Sequence, residues 1–500
     1  MIKPLLLALA LSLVGAAPPS RPVQDRPVGE FDGTRSIGTG RQTGTARYDA
    51  AGQTYQLTRP AGATPPGKEA VQFLWKRLKG DFLVYARYRL PAGAAGSRPE
   101  VGWTARTSLE PEAPQVSAAV SADGLTTLRT RRTAGGEVEE KLATLKEADV
   151  IQLERRGNTF LLWAARFGEP FEIQKVENLA LSDELYVGLF LGGKGGAGVF
   201  EEVRITIPAK PDNPPGRMTL GSRLELLDVT TGKREHIFTA PNSIQAPNWT
   251  PDGKTLIYNS EGLIYTFDLA TRKPAVLNTG EVKNNNNDHV LSFDGKRLGL
   301  SSGVRELGGS IIYTVPVTGG TPKQITPRGP SYLHGWSPDG KFLVFCGSRN
   351  NEFDVYKIPA EGGDEIRLTD AKGLDDGPEY SPDGRYIYFN SNRTGTMQIW
   401  RMKPDGSGQE PVTDGAFNDW FAHISPDGKQ MVFLSFLKDE VESGSHPPYK
   451  HVYLRTMPVS GGKPRVIAYL YGGQGSINTP SWSPDGRRIA FVSNTDETGR

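Results

Sequence analysis

Residues 336–369 read WSPDGKFLVFCGSRNNEFDVYKIPAEGGDEIRLT, and this stretch indicates the fold of the second half of the chain. After Trp336 it contains a Ser-Pro-Asp-Gly turn, two apolar runs at 342–345 and 355–358, and a Gly-Gly turn before a short last run. Proline presets φ at the first turn position, and glycine takes the left-handed conformation that closes a tight hairpin. The stretch therefore predicts a small sheet of four short antiparallel strands, the first of which ends at Trp336.

The same unit recurs along the second half of the chain. The equivalent tetrapeptides follow one another at steps of 42, 45, 44, 44 and 58 residues and begin at Thr250, Ser292, Ser337, Ser381, Ser425 and Ser483. A period near 44 with four short strands per repeat is typical of a β-propeller, in which each repeat forms one blade. We therefore expect six blades.

The two ends of this repeat region are incomplete in complementary ways. One strand follows the last tetrapeptide, and residues 224–229 and 236–239 have the pattern of a third and a fourth strand. We expect the N-terminal and C-terminal strands of the propeller to complete one shared blade, which would remove the exposed edges of an open ring.

The repeats, including YSPDGRYIYFNSNRTGTMQIWRMKPDGSG at 380–408, resemble the TolB-type, WD-repeat-like propellers of bacterial periplasmic proteins. TolB proteins carry a small α/β N-terminal domain and serve an envelope complex with a peptidoglycan-associated lipoprotein, whereas the N-terminal half of this chain has a β pattern. Similar propellers also occur in pectin-degrading lyases and as the non-catalytic part of some peptidases.

The N-terminal half shows strands at a spacing that favours a β-sandwich. Its segments GDFLVYARYRL, ERRGNTFLLWAARFGEPF and ELYVGLFLGG resemble concanavalin-like and laminin-G-like jelly-roll sandwiches. Such domains often bind carbohydrate, and others are structural. Trp163 lies in an alternating strand, so we expect it in the core. The fold class is thus all-β, with a jelly-roll sandwich followed by a six-bladed propeller.

The organisation of the chain follows from these patterns. Residues 1–17, with Lys3 before a short apolar run and small residues at its end, predict a secretory signal peptide. We then expect a linker at 18–29, the sandwich at 30–208, a proline-rich linker at 209–221 and the propeller at 222–500. No later apolar stretch is long enough to span a bilayer. We expect a periplasmic or secreted bacterial protein that is a monomer and has no transmembrane segment.

Composition excludes several classes of function. The chain has 58 Lys+Arg against 56 Asp+Glu, a formal net charge of +2, which gives no electrostatic basis for binding nucleic acid. Its one cysteine, Cys346, excludes an internal disulfide framework and a cysteine-based zinc cluster.

Strand order predicts where a site would lie. The tetrapeptide and Gly-Gly turns share one face of the propeller, here called the turn face. The blade-to-blade loops and the loops between second and third strands share the other, here called the loop-rich face. The loop at 438–450 carries the extra residues of the longest step, and such insertions are often functional. The candidate binding residues on this face are His289, His334, Asp375, Asp376, Asp419, Trp420, His423, His446, Tyr449 and His451.

Three interpretations of these residues remain open. In the first, the loop-rich face binds an envelope protein or a polysaccharide, with Tyr332, Trp420, Phe421 and Tyr449 as aromatic anchors. The second is a metal-assisted polysaccharide lyase or hydrolase at the channel mouth. There, His289, His334 and Asp376 would hold a divalent metal such as manganese, iron or zinc. In the third, the polar residues only cap strands and bond to loop backbone. We favour a binding or scaffold protein over an enzyme, with no assured cofactor.

Overall fold

The computed structural model of this chain describes residues 26–38, 43–60, 69–91, 97–214, 216–349 and 351–496. Within these ranges the chain forms 37 β-strands and one short 3₁₀ helix, Arg305–Leu307, which confirms the all-β fold class. The predicted signal peptide at 1–17 and most of the predicted linker at 18–29 lie outside the described residues. In the part of the chain that is described, no helix has the length and apolar character needed to cross a membrane.

The first fourteen strands form two seven-stranded antiparallel sheets. Their orders are β1-β4-β13-β6-β7-β8-β9 and β12-β11-β10-β5-β14-β3-β2. In chain order the strands are β1 (Gly33–Ile37), β2 (Thr45–Asp49), β3 (Thr54–Arg59), β4 (Val71–Lys79), β5 (Phe82–Arg89), β6 (Pro99–Arg106), β7 (Gln115–Ser121), β8 (Leu125–Arg131), β9 (Val138–Lys146), β10 (Val150–Arg156), β11 (Thr159–Ala165), β12 (Glu172–Val176), β13 (Glu184–Gly193) and β14 (Gly196–Thr206).

These two sheets share one hydrophobic core. Leu74 and Trp103 of the first sheet belong to the same buried cluster as Val84, Leu153 and Phe160 of the second. Successive side chains of a strand point to opposite faces, so alternate residues of both sheets meet in this layer. The other face of the second sheet also carries large apolar side chains, and these pack against the rest of the chain.

The remaining strands form six small antiparallel sheets, the six blades that the repeats predict. Five blades have four strands each, in sequence order from the innermost outward. These strands are β17 (Gln245–Trp249), β18 (Thr255–Ser260), β19 (Leu263–Asp268) and β20 (Lys273–Val276); β21 (Asn285–Leu291), β22 (Arg297–Val304), β23 (Gly309–Pro316) and β24 (Lys323–Gln324); β25 (Ser331–Trp336), β26 (Phe342–Arg349), β27 (Glu352–Pro359) and β28 (Ile366–Arg367); β29 (Asp375–Tyr380), β30 (Ile387–Ser391), β31 (Gln398–Met402) and β32 (Glu410–Pro411); and β33 (Phe417–Ile424), β34 (Gln430–Leu437), β35 (Lys450–Pro458) and β36 (Arg465–Gly472).

The sixth blade closes the ring. It consists of β15 (Gly221–Asp228), β16 (Arg234–Ala240) and β37 (Arg488–Thr495) in the order β16-β15-β37. The pairing of β15 with β37 runs from Gly221↔Thr495 to Asp228↔Arg488, so the two ends of the repeat region meet in one blade as expected. The innermost strand of this blade is reduced to a single bridge between Trp482 and Ile489.

The tetrapeptide turns have one repeated hydrogen-bond pattern. In the turn at Ser337, Asp339 Oδ1 accepts the Ser337 hydroxyl at 2.6 Å and the Lys341 N–H at 3.1 Å. Gly340 has a φ of +69°, in the left-handed region. The same two bonds to aspartate recur in the other five turns. The turns therefore fix the first hairpin of each blade in the same geometry.

The propeller and the N-terminal sheets are joined by a buried interface. Glu225 of β15, fully buried, accepts hydrogen bonds from Arg204 of β14 at 2.7 Å and from Arg234 of β16 at 2.5 Å. Beside it, Tyr85 of the second sheet packs in one apolar cluster with Tyr469 of β36. The interface thus combines a paired buried charge with aromatic packing.

Candidate functional site

A cavity of about 540 Å³ lies on the loop-rich face, where the innermost strands of several blades begin. Its walls come from β21, β25, β29 and β33, from the 438–450 insertion and from the segment that follows β36. The lining residues are Asn286, Asn287, Asp288, Tyr332, His334, Cys346, Phe353, Leu374, Asp376, Phe421, Gly444, His446, Gln474 and Asn478.

A β-bulge in each innermost strand aims side chains at this cavity. The pairing register shifts between Asn285 and His289 in β21, between Leu333 and Gly335 in β25, and between Trp420 and His423 in β33. A bulge bends a strand locally and redirects the side chains within it. Asp288, His334 and Phe421 lie inside these bulges, and all three line the cavity.

Two histidines and one carboxylate meet at the cavity wall. Asp376 Oδ1 lies 3.4 Å from His334 Nε2, and Asp376 Oδ2 lies 3.7 Å from His446 Nε2. Burial opposes the ionisation of Asp376, but the hydrogen bond and charge of His334 outweigh it and lower the pKa of Asp376 to about 2. Burial also opposes protonation of His334, yet the two nearby aspartates raise its pKa above the ordinary value. The raised pKa of His334 and the lowered pKa of Asp376 both favour a charge-assisted contact between the two side chains.

The second carboxylate of the cavity, Asp288, is placed differently. Its Oδ1 accepts the Asn287 side-chain amide at 2.9 Å, and Asn287 is held in turn by Gln474 at 2.9 Å. Burial raises the pKa of Asp288 to about 6, with His334 acting in the opposite direction. Asp288 is therefore a carboxylate for which ionisation is costly, and the cavity is more polar than its aromatic walls alone suggest.

Aromatic rings hold the imidazoles in position. His334 stacks on Phe421 with ring centroids 5.8 Å apart, and His446 meets the Trp420 ring edge-to-face at 4.4 Å. Burial lowers the pKa of His446, so its imidazole is neutral at neutral pH. Trp420, expected as a surface anchor, is fully buried and supports His446 from behind, whereas Phe421 and Tyr332 do line the cavity.

Two of the other candidate histidines lie inside the propeller. His289 bonds through Nε2 to the Ile257 carbonyl at 3.3 Å, and burial lowers its pKa to about 4. The structure does not bring it to the cavity beside His334, because the bulge of β21 ends before His289 whereas the bulge of β25 contains His334. His423 Nδ1 lies 2.6 Å from Glu379 Oε2 and its Nε2 is bonded to the Ile477 carbonyl.

The remaining candidates also have internal partners. Asp375 bonds to Arg393 at 2.7 Å and Asp419 to Arg455 at 2.9 Å, so both carboxylates are neutralised within their own blades. The last two candidates have different surroundings: Tyr449 contacts the segment just before β15, and His451 contacts the second N-terminal sheet. The Tyr449 hydroxyl accepts the Leu220 N–H at 2.8 Å, and the His451 ring stacks on Trp163 at 4.5 Å.

His451 connects the two halves of the chain electrostatically. Its Nδ1 lies 3.1 Å from Glu440 of the insertion, and its Nε2 lies 3.3 Å from Glu154 of the second N-terminal sheet. Burial opposes protonation, but the two glutamates prevail and raise the pKa of His451 to about 9. Trp163 is buried as expected, although it packs at this interface and donates its Nε1–H to Glu154 at 2.9 Å.

The candidate metal residues His289, His334 and Asp376 thus separate into two places. Among the residues that the structure describes, no group of three or more His, Cys, Asp or Glu side chains has the arrangement of a metal site. His334 and Asp376 remain together, bonded to each other.

The cavity also contains residues that the sequence reasoning passed over. Gln474 and Asn478 belong to the segment between β36 and the last tetrapeptide, and the repeat pattern of turns and strands does not include that segment. Asn286 accepts the Asp288 N–H at 3.0 Å, as a capping side chain does, and Asn286 and Asn287 both line the cavity. Their position directly before Asp288, at the start of the innermost strand β21, was the available signal.

Comparison with known proteins places the repeat region in a family. Residues 334–449 match the TolB β-propeller domain. An uncharacterised protein of Agrobacterium fabrum is 46% identical over 288 residues, which are 57% of this chain and 97% of that protein. The rest of this chain has no counterpart in that relative.

Two solved structures are also similar to this chain. A protein from Agrobacterium tumefaciens, provisionally assigned as TolB, is 47% identical with a TM-score of 0.53, covering 55% of this chain and 98% of its own. TolB from Acinetobacter baumannii is 17% identical with a TM-score of 0.40, covering 64% of this chain and 79% of its own. The near-complete coverage of the Agrobacterium relatives at this identity shows that the chain belongs to the TolB-like β-propeller family.

Proposed function

We propose that this chain is an exported binding protein of the bacterial envelope that recognises a protein partner through the cavity on the loop-rich face. The observation that carries the proposal is the cavity itself. It gathers polar side chains from three blades, from the insertion and from the segment after β36 between aromatic walls, and its volume of about 540 Å³ is that of a ligand pocket. Convergent polar groups in an apolar setting are what fixes the orientation of a bound group.

Family membership and the N-terminal sequence support the cellular part of the proposal. The TolB resemblance implies a role in an envelope complex with a protein partner. The signal-like residues 1–17 imply export and a periplasmic or secreted location. A polysaccharide partner remains the alternative outcome of the test below.

The N-terminal region is interpreted as a concanavalin-like jelly-roll sandwich at 30–208, joined by the 209–221 linker to the propeller at 222–500. Two seven-stranded sheets around one core support this interpretation. Because Glu225 bonds to arginines on both sides of the junction, the sandwich is expected to act as a fixed scaffold beside the propeller. It would present a second surface at a constant distance from the cavity.

A substitution that fills the cavity tests the proposal. Gly444 lines the cavity, and a Cβ there would meet its nearest neighbour, Asn392, at 3.5 Å, so Gly444→Phe places a ring in the cavity without a backbone clash. Gly415→Phe is the matched control, because it adds the same ring to the same face away from the cavity, with the nearest atom at 3.8 Å. Full-length tagged protein is used to capture partners from envelope extracts, and bound proteins and glycans are identified.

The wild-type protein and Gly415→Phe are expected to capture the same protein partner, and Gly444→Phe is expected to lose it. Equal thermal unfolding of the three proteins shows that the loss is local. Identical capture by all three would contradict the proposal, and capture of a glycan alone would replace the protein partner with a polysaccharide.

A further inference from the structure

The cavity has an unequal number of positive and negative groups. It contains two carboxylates, Asp288 and Asp376, and one imidazole with a raised pKa, that of His334, whose Nε2 lies 3.4 Å from Asp376 Oδ1. The second imidazole, His446, is neutral at neutral pH because burial lowers its pKa. With the pKa of Asp288 at about 6, both carboxylates are ionised at pH 7. Two ionised carboxylates thus stand against at most one charged imidazole, and the cavity carries net negative charge.

This excess charge resides on a carboxylate that is almost fully buried yet incompletely bonded. Asp288 is 5% exposed and lines the cavity. Its Oδ1 accepts the Asn287 amide, while Oδ2 receives neither a hydrogen bond nor an ion pair from any residue in the described part of the chain. A buried carboxylate is normally paired with a bonded cation, whereas His334 acts on Asp288 only through its charge, without a hydrogen bond or an ion pair between the two side chains.

The other buried carboxylates of the propeller show what Asp288 lacks. Asp375 is bonded to Arg393 at 2.7 Å, Asp419 to Arg455 at 2.9 Å, and Glu225 to Arg234 at 2.5 Å. Each of these pairs is internal to the propeller. Asp288 occupies a comparable buried position, but it lines the cavity and has no arginine partner among the described residues.

The walls beside Asp288 are aromatic. Tyr332 and Phe353 both line the cavity, with ring centroids 6.4 Å apart. Aromatic faces attract cations and also cover the alkyl stems of lysine and arginine. An anionic group entering here would instead meet two carboxylates.

We propose that the cavity receives a lysine or arginine side chain of the partner, with the cationic head against Asp288 Oδ2 and the alkyl stem against Tyr332 and Phe353. This inference rests on the proposed function, because it names the chemistry recognised at the same cavity.

Small-molecule probes test this chemistry without the partner. The full-length protein is titrated at pH 7 with Nα-acetyl-lysine methylamide, the arginine analogue, and the neutral Nα-acetyl-norleucine methylamide, and binding is followed by NMR. A hydrogen bond to a charged group predicts that the lysine or arginine compound binds about tenfold or more tightly than the norleucine compound. Equal binding of the three, or no binding of the cationic compounds, would overturn the proposal.

A matched pair of variants assigns the effect to one carboxylate. Asp288→Asn keeps the size of the side chain and is expected to remove the preference for the cationic compounds. Asp405→Asn, at an exposed turn far from the cavity lining, is expected to keep it. An undiminished preference in Asp288→Asn would also overturn the proposal.

The two proposals can fail separately. If Gly444→Phe loses partner capture but the cavity shows no preference for cationic compounds, the binding role stands and the lysine or arginine proposal fails. If the cavity prefers cationic compounds but no partner is captured, the cation preference stands and the proposed binding role fails.

Discussion

Asp288 is the residue at which binding and stability are expected to oppose each other. Burial raises its pKa to about 6 from 3.8, with Asp376 adding to the rise and His334 opposing it. Tyr332 and His446 also line the cavity around it. An acid with a higher pKa in the folded state binds more protons there than in the unfolded state. The contribution of Asp288 to folding stability therefore falls as the pH rises from about 3.8 to about 6.

Replacing this carboxylate should stabilise the free protein. We expect Asp288→Asn to raise the free energy of unfolding at pH 7 by about 1–3 kcal/mol. Near pH 2.5 the gain should nearly vanish, because the wild-type side chain is then almost fully protonated in both states. Urea unfolding at the two pH values measures both effects. A less stable variant at pH 7 would show that Asp288 serves the fold and not a ligand.

The charged form of His451 stabilises the fold, whereas the charged form of Asp288 destabilises it. Its pKa, raised to about 9, gives stability that is fully present below the unfolded value of 6.5 and is lost as the pH rises through 9. Between pH 6.5 and 9 the free energy of unfolding should therefore fall by about 2–3 kcal/mol more in the wild type than in His451→Gln. Parallel pH profiles of the two proteins would contradict the ion pairs with Glu154 and Glu440.

Single residues were also where sequence reasoning was least reliable. Trp420 was predicted to be a surface anchor. Large aromatic residues occur both in cores and at interfaces, so the residue type does not show which applies. The packing of Trp420 against His446 shows that it is a buried residue. His289 and His334 hold the same position relative to their turns. The two strands bulge at different places, so one side chain points into the blade stack and the other into the cavity.

At the scale of the turn, one repeat departs from the others. Phe293 occupies the position where the other five turns have proline and is 45% exposed, yet Asp294 makes the same two bonds as its equivalents. The Phe293 N–H donates no backbone hydrogen bond within the described residues. The native backbone therefore already suits proline.

Phe293→Pro is expected to stabilise the protein by about 0.4–1 kcal/mol, because proline restricts the unfolded chain without loss of a native bond. The reciprocal change, Pro338→Phe, is expected to destabilise it by a similar amount. Thermal unfolding of both variants provides the measurement. Destabilisation by Phe293→Pro would mean that the aromatic side chain itself supports this turn.

The elements themselves were largely predictable from the sequence. The tetrapeptide sets the first hairpin of each blade, and the incomplete ends predict the pairing of β15 with β37. The bulges could not be predicted, since they depend on how each innermost strand packs against its neighbours around the channel. The reduction of one innermost strand to the Trp482–Ile489 bridge has the same cause.

For the whole molecule, the interface between the sheets and the propeller determines how the chain unfolds. Glu225 neutralises Arg204 and Arg234 in a buried setting, so Glu225→Ala would leave two buried arginines unpaired. We expect a loss of about 3–5 kcal/mol. Glu235→Ala removes an exposed pair with Arg272 and should cost at most about 1 kcal/mol.

The same interface predicts one cooperative unfolding transition in the wild type. Hydrogen exchange in the N-terminal sheets should give the same unfolding midpoint as hydrogen exchange in the propeller. Tryptophan fluorescence of the whole chain should show a single transition at that midpoint. Two separate transitions in the wild type would show that the sheets are a tethered module and not a fixed scaffold.

The most direct test of the central claim is hydrogen–deuterium exchange of the full-length protein with and without its captured partner. We predict protection in the segments that form the cavity, 286–288, 332–334 and 444–446, with little change on the turn face or in the N-terminal sheets. Protection confined to the turn face or to those sheets would contradict the assignment of the cavity as the binding site.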